Sequence, residues 1–320
     1  MSDRQDSSRV LHENEIPIDT ALVRQLLNTQ FPDYGALTIE RLPASGSTNA
    51  LFKLGDHALA RLPRQPGGGE ALLKERRWTA EVTEGWSLAV PQILELGQPS
   101  PAFAEHWAIV TWLPGEHPPV WQAGTEAATQ SGALARDLAD VIHKLRDRPV
   151  SQTAAEDPAL RWYRGEPLSN YDRHFCRTLS ACRAIPELDV NLDNAEALWE
   201  RALAIPATHD EGSDRWFHSD LVAENLLLRD GRLTAVLDFG TLSVGDPCID
   251  LHGAWELFDP EARAVFRERL GVNDAEWQRG RAWALAISLG ALSYYWHTMP
   301  GRRHDRLAML RSALADTSDD

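Results

Sequence analysis

Cysteine is scarce in this chain of 320 residues, which contains only Cys176, Cys182 and Cys248. Three cysteines without a C-x-x-C pair argue against a disulfide framework and against a cysteine zinc site. We therefore expect reduced, buried thiols, as in a cytoplasmic protein.

Long apolar runs are also missing. No stretch of eighteen apolar residues occurs, so the sequence predicts no transmembrane helix and no membrane partner. Residues 1–15 are polar and lack the apolar segment of a secretory signal. We predict that they form a flexible N-terminus of a cytoplasmic protein.

Positive charge is in short supply, with 32 Lys and Arg against 47 Asp and Glu, a net charge of −15. The net charge is −4 up to Leu113 and −11 from Pro114 onward. Because nucleic-acid binding needs basic surface, we expect no nucleic-acid partner. An acidic surface suits a cationic or neutral small molecule better. The same acidity would also keep any cytosolic protein soluble.

The first third of the chain is rich in strands. Asp19 is placed to cap a helix over residues 20–28, and Gly55-Asp56 is a turn signal between two strand-like runs. The predicted strands cover residues 37–42, 50–54, 57–62, 91–96 and 107–112, and one longer helix covers residues 70–83.

Helical periodicity dominates after residue 114. The predicted helices cover residues 125–146, 168–184, 194–205, 260–270, 274–295 and 304–315. A sheet-rich first third and a helical remainder predict an α+β fold with two lobes. We place the N-lobe at residues 16–113 and the C-lobe at residues 114–320.

One central stretch carries three oxygen-bearing side chains at fixed spacings. Asn225 follows Asp220 by five positions, and Asp238 follows Asn225 by thirteen. With His218 and the residues after Asp238, these spacings match the H-x-D-x-x-x-x-N and D-F-G signatures of protein kinases. An ordinary β-hairpin is the alternative interpretation, but it requires none of the flanking acidic residues.

This pattern suits the transfer of a phosphoryl group to a hydroxyl. We predict that Asp220 is the catalytic base, which orients the hydroxyl and accepts its proton. Asn225 and Asp238 are the predicted Mg²⁺ ligands, because this ion prefers oxygen. We expect His218 to be structural. Asp250 would either brace the catalytic loop, which we favour, or cap a helix that begins near Leu251.

A basic residue closes one of the predicted strands. Arg61 could bind the α- and β-phosphates of a nucleotide while a carboxylate from the next helix, best supplied by Glu75, holds its guanidinium. Two unrelated surface charges would give the same spacing, but the motif downstream favours the pair.

Two further segments are candidates for nucleotide contacts. A loop of small residues could cover the phosphates with its backbone N–H groups, and the junction after the last predicted strand could pair with adenine. The residues are Ser47, Thr48 and Asn49 in the loop, and Thr111, Trp112 and Leu113 at the junction. The glycines at 67–69 lack the Lys-Ser/Thr of a P-loop and are interpreted as a linker.

Together these segments resemble the aminoglycoside phosphotransferase family, antibiotic kinases with a protein-kinase-like fold. The resemblance spans about residues 20–315. Besides the central stretch, the matching segments are Arg61-Leu62-Pro63-Arg64, Trp112-Leu113-Pro114-Gly115, Gly245-Asp246-Pro247, Asp250-Leu251 and residues 294–300.

The resemblance implies a small antiparallel sheet with one main helix, a larger mainly helical lobe, and an active site in the cleft between them. Arg61 stands where the family usually has a nucleotide-binding Lys; it keeps the charge and adds a bidentate fork. Ser219 stands where the family usually has Gly. Only eleven residues separate Asp238 from Asp250, too few for the long activation segment of a protein kinase.

By this resemblance the chain is a small-molecule kinase that uses ATP, or GTP in its place, together with Mg²⁺. An aminoglycoside is the leading acceptor. A macrolide, a sugar or an amino alcohol is the alternative acceptor, and a nucleotide-binding pseudoenzyme that serves as a scaffold is the alternative function. We expect a monomer or a homodimer.

Acceptor contacts can be chosen only by charge and expected position. The candidates are Glu166, Asp172, Glu256 and Asp259. Trp255, Tyr294 and Trp296 could line the same cavity, although aromatic residues at helical spacing are more often core residues.

Overall fold

A computed structural model describes residues 12, 14–42, 48–124, 131–205 and 214–317. The chain divides into two compact units, Met1–Gly115 with Ala235–Gly240 and Glu116–Thr234 with Thr241–Asp320. Among the described helices, none combines the length and the apolar character needed to cross a membrane.

The first unit contains a five-stranded antiparallel sheet with the strand order β1-β2-β3-β5-β4. Its strands are β1 (Ile39–Arg41), β2 (Asn49–Leu54), β3 (Ala58–Pro63), β4 (Ile93–Gly97) and β5 (Trp107–Thr111), and its helices are α1 (Thr20–Gln30) and α2 (Gly69–Val82). These are the predicted elements, each within a few residues of its expected bounds.

Local signals explain how this sheet forms. Every second residue of β2 is buried, as expected for a strand with one face on the core. Gly55, with a φ of 54°, makes the tight turn into β3. The side chain of Asp19 accepts a hydrogen bond of 2.8 Å from Leu22 N–H, which confirms the predicted cap of α1.

The second unit is mainly helical. Its helices are α3 (Ser131–Asp147), α4 (Gln152–Glu156), α5 (Leu168–Arg183), α6 (Leu192–Leu203), α7 (Ala254–Leu257), α8 (Pro260–Leu270), α9 (Asp274–Tyr295) and α10 (Pro300–Ala315). The later strands are β6 (Arg215–Phe217), β7 (Leu226–Arg229), β8 (Arg232–Val236) and β9 (Ser243–Gly245), in two antiparallel pairs, β6 with β9 and β7 with β8.

Several bounds differ from the sequence prediction. Helix α6 begins two residues early because Asn191 caps it through Asn194 N–H. Helix α10 begins at Pro300 rather than at residue 304, since proline is tolerated in a first helical turn. The short elements α4, α7, β6 and β9 were not predicted, because three to five residues show almost no periodicity. Residues 125–130 of the predicted helix 125–146 lie outside the described residues.

Helix α9 organises the second unit by packing against α5, α10 and the 3₁₀ helix Pro247–Leu251. A glycine makes the last contact possible: a Cβ at Gly280 would lie 2.5 Å from Leu251 Cβ. The 3₁₀ helix in turn carries Asp250, so this approach positions a residue of the candidate site.

Gly280→Ala is therefore expected to destabilise the protein by about 1–3 kcal/mol, the usual cost of overpacking. Gly290→Ala is a matched control in the same helix, because a Cβ there meets open space. We expect that control to be neutral or more stable by about 0.5–1 kcal/mol. Urea denaturation measures both, and equal stabilities would contradict the close approach.

Candidate active site

The loop that carries Asp220 leaves β6 in an unusual conformation. Ser219 has a φ of 70°, in the left-handed region, and is completely buried. The Asp250 carboxylate accepts hydrogen bonds from His218 N–H at 2.9 Å and Ser219 N–H at 2.5 Å. The bracing role predicted for Asp250 is confirmed. The alternative role of helix cap is wrong, since Asp246 caps the 3₁₀ helix that contains Asp250.

His218 serves the shape of this loop. Its side chain is buried, and its Nδ1 accepts a bond of 3.3 Å from Asp220 N–H. Thr241 Oγ1 donates to the carbonyl of His218 at 2.8 Å. These contacts confirm the structural role predicted for His218.

Asp220 and Asn225 are in direct contact. Asn225 Nδ2 donates to the Asp220 carbonyl and to Asp220 Oδ2, both at 2.9 Å. Among the described residues no hydrogen bond uses the Asn225 amide oxygen, so that oxygen is available to a cation. The Asp220 side chain keeps 27% of its surface exposed, enough for a small molecule to reach it.

Positive charges surround this carboxylate. Burial alone would raise the pKa of Asp220, but the positively charged Arg164, Arg306 and Arg302 outweigh it and hold the pKa below its ordinary value. The carboxyl group is therefore ionised near neutral pH, the state a proton acceptor requires.

Two acidic residues support the loop from within the protein. Glu256 is buried, accepts a bond of 2.8 Å from Ala223 N–H and forms an ion pair with Arg306. Glu224 accepts two bonds of 2.7 Å from Arg302 Nη2. The prediction that Glu256 contacts the acceptor is wrong, because its oxygens are held by buried protein donors.

The other candidates for acceptor contacts also have protein partners. Asp259 caps α8 through Ala262 N–H at 2.7 Å. Asp172 accepts a bond of 2.9 Å from Trp199 Nε1, and the exposed Glu166 accepts one of 2.9 Å from Asn170. Their role toward an acceptor stays a prediction.

The three aromatic candidates differ in exposure. Trp255 is completely buried and donates to Asp316 Oδ2 at 2.7 Å, so it is a core residue. Trp296 is 7% exposed and Tyr294 is 53% exposed.

The first unit contains a buried ion triad. Arg61 Nη1 lies 2.9 and 3.0 Å from the two oxygens of Glu75, and Arg61 Nη2 lies 2.9 Å from Asp238 Oδ1. The predicted pair of Arg61 and Glu75 is confirmed. The direct contact of Arg61 with Asp238 was not predicted.

Burial and charge act in opposite directions in this triad. Burial raises the pKa of Glu75, and Arg61 opposes that rise. For Arg61, burial by itself lowers the pKa, but Glu75 and Asp238 more than compensate and raise it. The Asp238 side chain remains 36% exposed, and among the described residues no hydrogen bond uses its Oδ2.

The remaining nucleotide candidates lie in the same unit. Ser47 is outside the described residues. The carbonyls of Thr48 and Asn49 accept bonds of 2.9 and 3.2 Å from Arg64. At the junction, Thr111 N–H donates to Gln92 at 3.0 Å.

The next residues at the junction differ in their bonding. Trp112 N–H donates to the His57 carbonyl at 2.9 Å. No hydrogen bond of Leu113 N–H is found among the described residues. Of these three residues, only Leu113 therefore has a backbone N–H with no hydrogen bond among the described residues, and the adenine contact stays a prediction.

One residue beside Asp220 was missed in the sequence. Arg164 Nη1 donates to the Ser219 carbonyl at 2.7 Å and lies 3.6 Å from Asp220 Oδ1. No motif surrounds Arg164, and it precedes Ser219 by 55 positions. Only the tertiary structure brings it to the loop.

The profile of the phosphotransferase enzyme family, APH, matches residues 39–283. The chain belongs to this family. The resemblance noted in the sequence is thereby confirmed, and the chain is a phosphotransferase. No curated protein sequence matches it.

Solved structures share its fold. Wild-type aminoglycoside 2'-phosphotransferase-IIIa in complex with GDP is 18% identical, with a TM-score of 0.67 over 93% of this chain and 99% of that one. Macrolide 2'-phosphotransferase MphH from Brachybacterium faecium is 22% identical, with a TM-score of 0.58 over 92% and 98%. The streptomycin–ATP complex of APH(2")-IIa is 17% identical, with a TM-score of 0.56 over 86% and 91%. The predicted α+β, kinase-like fold is confirmed.

Asp250→Asn tests the brace of the Asp220 loop. The amide keeps one acceptor oxygen but turns an NH₂ group toward a buried N–H donor, so we expect a loss of about 2–3 kcal/mol in stability. Amide exchange at His218 and Ser219 should become faster. Asp259→Asn is the matched control, since Asn caps a helix as well as Asp does. Equal stability of the two variants would contradict the brace.

Because of His252, we expect part of the folding stability to be lost at acidic pH. It is fully buried, and burial lowers its pKa from 6.5 to about 4. The unfolded chain therefore binds a proton more readily, and stability is lost as the pH falls from 6.5 toward 4. Between pH 7 and pH 5 the wild type should lose about 2 kcal/mol more than His252→Gln.

Denaturant titrations at the two pH values measure this difference. His57→Gln, at an exposed side chain, controls for the removal of a histidine. Parallel acid dependence in the wild type and His252→Gln would show that His252 does not contribute.

Proposed function

We propose that this phosphotransferase moves the γ-phosphoryl group of ATP, or of GTP, to a hydroxyl of a small polar molecule. The observation that carries the proposal is the ionised, partly exposed Asp220 carboxylate, held at 2.9 Å by Asn225 Nδ2. Asp220 orients the acceptor hydroxyl and accepts its proton as the new P–O bond forms, while the bond from the γ-phosphorus to the bridging oxygen breaks and ADP or GDP leaves.

Asn225 and Asp238 would hold Mg²⁺ through the Asn225 amide oxygen and Asp238 Oδ2. Both atoms suit a hard cation that prefers oxygen and takes its other ligands from phosphates and water. The described residues contain no group of three or more His, Cys, Asp or Glu that could hold a metal. When bound, the ion would supply positive charge against the phosphate oxygens.

Arg61 would bind the α- and β-phosphates. Both oxygens of Glu75 accept hydrogen bonds from Arg61 Nη1, and Asp238 accepts one from Arg61 Nη2, so the guanidinium is held in one position. Thr48, Asn49 and Ser47 are proposed to cover the phosphates, and Leu113 N–H is the proposed adenine contact.

The solved structures of similar fold indicate only the chemical class of the acceptor. Among them are complexes with kanamycin, streptomycin and gentamicin, and one neighbour is a macrolide phosphotransferase. An aminoglycoside is the leading acceptor and a macrolide the second. We further propose a cytoplasmic protein that acts as a monomer or a homodimer.

Two substitutions separate the proposed roles. Asp220→Asn should reduce kcat by roughly 10²–10⁴-fold while leaving nucleotide affinity unchanged, because only the proton acceptor is lost. Asp238→Asn should also weaken Mg²⁺-dependent ATP binding. Asp230→Asn is the control, since this exposed residue lies in a turn at a φ of 51° that Asn tolerates.

Turnover is measured by mass spectrometry, as the gain of one phosphoryl group on aminoglycosides, macrolides and common metabolites. Calorimetry measures the binding of ATP with and without Mg²⁺. Near-native turnover of Asp220→Asn would overturn the assignment of the base. A wild type that binds ATP but phosphorylates no acceptor would favour a scaffold.

A further inference from the structure

Arg164 approaches the Asp220 loop from a different part of the second unit. It lies in the 3₁₀ helix Tyr163–Gly165, just before α5. Its Nη1 donates to the Ser219 carbonyl at 2.7 Å and lies 3.6 Å from Asp220 Oδ1. One guanidinium nitrogen thus touches both the left-handed residue of the loop and the proposed base.

The backbone of this 3₁₀ helix is clamped in place. A Cβ at Gly165 would lie 2.6 Å from the Phe217 ring and 3.3 Å from Gly245 Cα. The Gly165 carbonyl accepts a bond of 2.9 Å from Asp246 N–H. Arg164 is therefore anchored to the ends of β6 and β9, next to the start of the catalytic loop.

The side chain of Arg164 is held as well. Its guanidinium carbon lies 4.5 Å from the centre of the Trp162 ring, and its Nε donates to Tyr163 Oη at 3.1 Å. Tyr163 in turn stacks on Tyr171, with ring centres 5.0 Å apart and planes 8° apart. Only 16% of the Arg164 side chain is exposed, so its position is well defined.

The other cations near Asp220 have carboxylate partners of their own. Arg302 is paired with Glu224, and Arg306 with Glu256. Among the described residues, Asp220 is the only carboxylate within ion-pair distance of Arg164. Of these three arginines, Arg164 is therefore the one whose ion pair is with Asp220.

Each oxygen of the Asp220 carboxylate thus has a different partner. Asn225 Nδ2 donates to Oδ2 at 2.9 Å, and Arg164 faces Oδ1 at 3.6 Å. A carboxylate held at only one oxygen can rotate about its Cβ–Cγ bond, since this torsion has a broad energy profile. Two partners define the plane in which the free lone pairs point.

We propose that Arg164 is a positioning residue, which aims the Asp220 carboxylate at the acceptor hydroxyl and holds the Ser219 backbone beneath it. This inference rests on the proposed role of Asp220 as the base. Because Arg164 acts through Asp220, its loss should slow the chemical step without changing how substrates bind.

The first test compares Arg164→Gln, Arg164→Lys and Arg164→Ala with wild-type protein. MgATP turnover is measured with kanamycin as the acceptor and with water alone. Arg164→Gln should reduce kcat roughly 10- to 100-fold, the usual effect of a misplaced catalytic group. The KM for ATP should stay within about threefold of wild type. Arg164→Lys should recover part of kcat, and added methylguanidinium should partly restore Arg164→Ala.

Arg161→Gln is the matched control, because Arg161 is a neighbouring exposed arginine that pairs with Asp214 at 2.6 Å. Its turnover should equal that of wild type. Thermal unfolding of each variant gives its unfolded fraction. This distinguishes a fall in kcat caused by unfolding from one caused by a misplaced Asp220 carboxylate. A fall in kcat that follows only the unfolded fraction, with no rescue by Lys or methylguanidinium, would overturn the proposal.

A double-mutant cycle tests whether Arg164 acts through Asp220. Adding Arg164→Gln to Asp220→Asn should cause no further loss of kcat, since the group to be aimed is already inactive. A further loss of 10-fold or more, roughly the full effect of the single change, would show that Arg164 acts independently of Asp220 and would contradict the proposal.

Failure of the proposed function gives a different result. A wild type that turns over no ATP with kanamycin, with water or with any other acceptor of the mass-spectrometry panel would overturn the proposed function, and an NMR readout then decides the role of Arg164. Arg164→Gln should shift the Asn225 side-chain amide signal and speed amide exchange at Ser219 and Asp220, whereas Arg161→Gln should not. Unchanged signals in Arg164→Gln would overturn the positioning role.

Discussion

The hydrogen bonds that Asp250 accepts from the backbone of His218 and Ser219, at 2.9 and 2.5 Å, set the shape of the loop on which the site depends. Both residues are completely buried, so without this carboxylate their N–H groups would have no water to bond to. Ser219 also holds a φ of 70°, which costs a residue other than glycine about 1–2 kcal/mol. Because the 3₁₀ helix that carries Asp250 packs against α9, the helical core determines where Asp220 lies.

The parts of the structure that could be predicted from the sequence are those set by local signals. Helices α8 and α9 begin and end at the predicted residues. Asp259 and Asn273 cap their first turns, and Gly271, in the left-handed conformation, ends α8. The contact of Asp220 with Asn225 follows from a spacing of five in one loop. The pair of Arg61 and Glu75 could be inferred because only 14 positions separate these two residues, one near the end of a strand and the other in the following helix.

The parts that could not be predicted depend on contacts between distant segments. Asp238 meets Arg61 across 177 positions, and Arg164 meets Ser219 across 55; neither contact has a spacing that a sequence pattern could reveal. Glu256 was misassigned for a related reason. Its charge suggested an exposed position, whereas an ion pair with Arg306 allows it to be buried.

Our central proposal is that Asp220, Asn225 and Asp238 act together on a metal-bound nucleotide. Anomalous diffraction from crystals of the protein with Mn²⁺ and a non-hydrolysable ATP analogue tests it most directly. We expect one Mn²⁺ bound by the Asn225 amide oxygen and an Asp238 carboxylate oxygen, with Asp220 outside the coordination shell and facing the γ-phosphate. An ion bound without Asn225 and Asp238, or Asp220 facing away from the phosphate, would contradict the account.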